Sequence, residues 1–91
     1  VNESVDGAEQ FLSLVEEKQA KDARLTSMQA ALVVAAELGT ACDSRSFARI
    51  FGVAHALVLR ELNALCEPGG QLRIVKREVR TLRTHYALRD G

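Results

Sequence analysis

The side chains with distinctive chemistry in this 91-residue chain are two cysteines, two histidines and a late run of cations. A zinc site needs Cys and His at short, regular spacings. Cys42, Cys66, His55 and His85 stand far apart in no such pattern, so no metal is expected. Cys42 has no obvious neighbour that would turn its thiol into a reactive thiolate. Cys66 falls on an apolar stripe and reads as a small core residue, and His85 reads as a structural strand residue. Gly69-Gly70 lacks the Lys-Ser/Thr and the preceding strand that a phosphate loop requires. No G-x-S-x-G or H-E-x-x-H appears. The carboxylates are scattered over polar faces, with no pair placed for acid–base work. No catalytic residue and no cofactor are therefore expected, and the chain does not read as an enzyme.

What remains is electrostatic. The formal net charge is zero, but its distribution is uneven. Residues 1–43 carry three bases against eight acids, and residues 44–91 carry nine bases against four acids. Such a split predicts that the second half faces something anionic. The longest apolar run, Ala30 to Ala36, is far too short to cross a bilayer, so no membrane role is expected. No basic-then-apolar leader is visible, and two isolated cysteines suit a reducing cytoplasm.

These cations need a scaffold, and the apolar pattern supplies one. Composition is 47% hydrophobic and 26% charged, which suits one folded domain over 1–91. With only 4% aromatic residues the core must be mostly Ala, Val and Leu. From Ser4 to Lys21, Val5, Ala8, Phe11, Leu12 and Val15 recur at helical spacing. Residues 1–23 thus form an amphipathic helix whose Phe11-Leu12-Val15 stripe is a candidate homodimer contact. Thr26-Ser27-Met28-Gln29 is a capping box that opens a central helix, and Gly39 stops it. Asp43 or Ser44 caps a short third helix to about Phe51, and Gly52 ends it. A fourth helix runs from about Ala54 to Cys66, with Val58, Leu62, Leu65 and Cys66 facing inward. Pro68-Gly69-Gly70 ends it, closing a helical core over 24–71. Beyond it the period becomes alternating. Leu72 and Ile74 fall on one face of a first strand, and Thr84, Tyr86 and Leu88 do the same on a second, with a basic tip over 76–83 between them.

Phe47 to Leu65 carries a further pattern. Ala48 is small enough for two helices to cross, Gly52 suits a tight turn, and Val53 plugs the corner. Val58, Leu62 and Leu65 follow at fixed steps from the glycine. With Arg24-Leu25-Thr26-Ser27-Met28-Gln29 before it and Tyr86-Ala87-Leu88-Arg89-Asp90-Gly91 after it, this stretch resembles the winged helix-turn-helix core of the MarR family of bacterial transcription regulators. The resemblance covers about residues 24–91. It implies a mainly α fold with a small β-hairpin (α+β), about four helices followed by a two- or three-stranded wing over 72–91.

The resemblance also implies double-stranded DNA as partner. The helix over 54–66 would lie in the major groove and present His55, Ala56, Leu59 and Arg60. Arg60 would read guanine, and Arg45 would hold phosphate. Lys76, Arg77, Arg80 and Arg83 would place wing charge on the backbone or in the minor groove. The family's C-terminal dimerisation helices would begin near Gly91, and its usual Asp-x-Arg wing turn is missing from 76–83. Leu57 and Leu59 lie off the inward stripe, where groove readers are usually polar. They motivate the alternative, a winged-helix module that binds protein through Leu57 and Leu59 rather than DNA.

Overall fold

The computed structural model describes residues 3–67 and 70–89, with side chains from Glu9 onward. Pro68, Gly69, Asp90 and Gly91, and the side chains of Val5 and Ala8, lie outside the described residues. Four helices precede an antiparallel hairpin: α1 (Glu3–Lys21), α2 (Ser27–Leu38), α3 (Ser44–Phe51), α4 (His55–Leu65), β1 (Leu72–Arg77) and β2 (Thr84–Leu88). The architecture is α+β. No helix among the described residues is long and apolar enough to cross a membrane.

Helix α2 forms the centre. Its start is the expected capping box: Thr26 Oγ1 accepts from the Gln29 N–H, and Gln29 Oε1 of the side chain accepts from the Thr26 N–H. Ala30, Leu32, Val33, Val34 and Ala35 are all buried, because α1, α4 and the hairpin cover it from different sides. It ends at Gly39, whose φ of 71° is left-handed. Glu61 of α4 accepts from Gln29 Nε2 at 2.9 Å, so the cap that starts α2 also fastens α4.

Helix α3 starts where Asp43 accepts from the Ser46 N–H at 2.9 Å. It stops at Gly52, at φ 66°. Val53 then packs against the core and its N–H donates to the Ala48 carbonyl, closing the turn into α4. Val58, Leu62 and Leu65 bury as the spacing requires, with Cys66 half-buried beside them. The three phenylalanines form a chain of rings. Phe51 lies 5.1 Å from Phe11 and 4.4 Å from buried Phe47, which ties α1 to α3.

The two ends of the molecule differ in how their apolar residues are covered. In α1, Val15 is buried and Phe11 is stacked on Phe51, but Leu12 is 60% exposed. Of the stripe put forward as a dimer contact, only Leu12 is exposed. In the hairpin, the strands run further than expected, and the tip is 78–83 rather than 76–83. A bulge falls between Ile74 and Lys76, so Ile74 pairs with Tyr86 but Lys76 pairs with His85 and Arg77 with Thr84. Directly opposed residues share a face. The bulge therefore turns Arg77, instead of Lys76, toward the side of buried Thr84. Ile74 and Leu88 share a face with their buried partners Tyr86 and Leu72 yet remain partly exposed. The outer edge of β2 adds one bridge, Asp43 to His85, and the Tyr86 N–H donates to the Cys42 carbonyl.

Candidate nucleic-acid interface

The exposed face of α4 is short and specific. Ala56, Arg60 and Asn63 recur at spacings of four and three, so they lie in one row, and all three are exposed. The Arg60 side chain is 74% exposed and 3.8 Å from Glu61, a contact too open to hold it. His55 and Leu59, expected on this face, are half-buried, as is Leu57. The α4 surface therefore offers protein partners less apolar area than Leu57 and Leu59 promise from sequence.

His55 is occupied internally. Its Nε2 lies 2.7 Å from Ser44 Oγ, and that oxygen also accepts from the Thr84 N–H at 2.9 Å. Ser44 is fully buried. With Thr84 donating to it, the serine proton is left for His55, which places the ring proton on Nδ1. One serine thus joins the starts of α3, α4 and β2. Desolvation pushes His55 below its ordinary pKa, helped by the nearby Arg45 and Arg83 charges and opposed by Asp43.

The cations of α3 and the hairpin divide into two groups. Arg45 donates through Nη2 and Nε to the Thr81 carbonyl, at 2.7 and 3.2 Å, and so steadies the hairpin tip. Arg77 donates to Asn63 Oδ1 at 3.2 Å and to Thr84 Oγ1 at 3.3 Å, which lays β1 beside the exposed row of α4. Arg83 sits 3.7 Å from Asp43. Arg45 and Arg77 thus spend part of their hydrogen-bonding capacity on the fold, and Arg83 only an ion pair. Lys76 and Arg80 are exposed and have no hydrogen-bond or ion-pair partner among the described residues. Glu78, the acid of the hairpin, is paired with His85 at 3.0 Å, and this hydrogen bond holds its carboxyl below the usual range.

Sequence reasoning missed Arg49. It lies one turn after Arg45 on α3, and both line a cleft of about 610 Å³ with Ser46, Val53, His55 and Arg83. The spacing of four between Arg45 and Arg49 was the available signal. A second depression is apolar and runs between α1 and α3, lined by Phe11, Leu12, Met28, Ala31, Phe51 and Val53. Both thiols are free, Cys42 exposed and Cys66 half-buried, and burial pushes the Cys66 thiol up. No family model, no curated protein and no solved structure matches the chain.

Proposed function

We propose that this chain is a winged helix-turn-helix domain that binds double-stranded DNA, as a MarR-type bacterial regulator would. Helix α3, the Gly52 turn and α4 form the helix-turn-helix, and the hairpin is the wing. The observation that carries the reading is the exposed Ala56–Arg60–Asn63 row, flanked by β1 through the Arg77–Asn63 hydrogen bond. It puts a guanidinium able to pair with guanine next to a cationic hairpin able to follow phosphates.

The test is fluorescence anisotropy with mixed-sequence duplex across a salt series. Affinity falls linearly in log salt if phosphates are neutralised. Arg60→Ala then costs about 1–3 kcal/mol on a selected site and relaxes one base position. Arg80→Gln weakens all sequences alike and flattens the salt slope by about 1. A folded sample that binds no duplex at low salt overturns the reading.

The alternative, a protein-binding module in the cytoplasm, has one observation in its favour: the open apolar groove between α1 and α3 beside exposed Leu12. Loss of duplex binding in a folded sample would select it.

A further inference from the structure

The cleft between α3, the start of α4 and β2 differs in kind from the exposed row of α4. It is a concavity with walls from three elements: Arg45 and Arg49 from α3, His55 from α4, and Arg83 just before β2. Its volume, about 610 Å³, is that of a small-ligand site. Three guanidiniums meet there; the carboxylates near Arg83 are Asp43, at 3.7 Å, and Glu78, which is paired with His85, while Arg45 and Arg49 pair with no acid among the described residues. Two positive charges are left over. We propose that this cleft binds a phosphomonoester dianion, a ligand separate from the internal diester phosphates of duplex DNA.

Charge and preorganisation carry the inference. An internal DNA phosphate brings one negative charge, whereas a phosphomonoester brings close to two at neutral pH and three acceptor oxygens. Arg45 is held by two hydrogen bonds to the Thr81 carbonyl, so one of the three cations is already ordered, and Arg83 lies 3.7 Å from Asp43 without a hydrogen bond to it. Each guanidinium has five donors, and the two bonds to Thr81 leave three of those of Arg45 for a ligand. Arg49 is exposed with no partner among the described residues, so its side chain is left to close on the anion. A neutral partner holds Arg45, so its charge is undiminished.

The probes are inorganic phosphate and phenyl phosphate, titrated into the ¹⁵N-labelled domain at constant ionic strength in chloride. Dimethyl phosphate serves as the singly charged diester. Saturable shifts of the Arg49 and Arg45 side-chain N–H groups and of the His55 ring are expected. Dimethyl phosphate should bind at least about tenfold more weakly, because it offers one charge and fewer acceptors. Arg49→Gln should weaken phenyl phosphate by about tenfold with an unchanged melting temperature, while Arg60→Gln binds like the parent. Non-saturating shifts spread over every exposed arginine overturn the proposal, as does an Arg49→Gln domain that binds as tightly as the parent. A duplex with 5′-hydroxyl ends separates the two readings. If it alone occupies the cleft, the proposal falls and the DNA reading stands. If phenyl phosphate saturates the cleft and duplex does not bind, the DNA reading falls by itself.

Discussion

Tyr86 carries its hydroxyl into the core, where the described residues give it no hydrogen-bond partner, and burial pushes its pKa up. A buried hydroxyl left unpaired costs more than it returns. Tyr86→Phe should therefore raise stability by about 1 kcal/mol, read from urea unfolding. Asp43 acts in the opposite sense. Burial pushes its carboxyl up, but hydrogen bonds from the Ser46 N–H and hydroxyl, with Arg83 nearby, outweigh this and hold it below the usual value. The folded state thus binds the Asp43 proton less readily than the unfolded chain does. Its stabilisation is present above about pH 4 and is lost as pH falls below that. Asp43→Asn keeps an acceptor for the cap but does not titrate, so its melting temperature should fall less steeply with acid than the parent's. The role of Asp43 as a cap was legible, because a cap and its helix are neighbours in sequence. The partners of Arg45, Arg77 and Arg83 were not, because Thr81, Asn63 and Asp43 come near them only when the hairpin folds back on the helices.

Among the elements, α3 and α4 show how much depends on their ends. Gly52 sits at φ 66° with nothing within 4 Å of where a Cβ would stand. Gly52→Ala should then cost about 1 kcal/mol purely through backbone conformation, with no clash to relieve. The N-cap position of helix α4 is Ala54, which makes no side-chain cap. Ala54→Ser should add about 1 kcal/mol in thermal melts by satisfying one free amide. Helix limits were readable to within a residue or two because Thr26, Gln29, Gly39, Asp43 and Gly52 are local signals. The hairpin was read less well. Its alternation assumed an unbroken register, whereas the adjacent apolar pair Ile74-Val75 marked the place where the period slips. The tip holds Leu82 at φ 61°, a conformation that glycine takes more cheaply, and nothing in the local sequence announces it.

For the molecule as a whole, zero net charge conceals a division. The acids of α1 lie toward one end of the sequence, and the cations gather on α3, α4 and the hairpin. At pH 7 the domain should be retained on heparin despite its neutral balance, and Arg49→Glu with Arg80→Glu should abolish retention while leaving the melting temperature within about 1 °C. This asymmetry was visible in the sequence, but the gathering of Arg45, Arg49 and Arg83 around one cleft was not, because it depends on how α3 packs against β2. The bulge in β1 has a consequence for crowded solutions. A two-stranded sheet leaves β1 with an open edge, and exposed Ile74 and Val75 would invite another chain to pair there. The irregular register interrupts that edge, and Arg73, Lys76 and Arg77 surround it with like charge. Straightening the strand by deleting Val75 would remove the interruption and hand concentrated protein a template for aggregation.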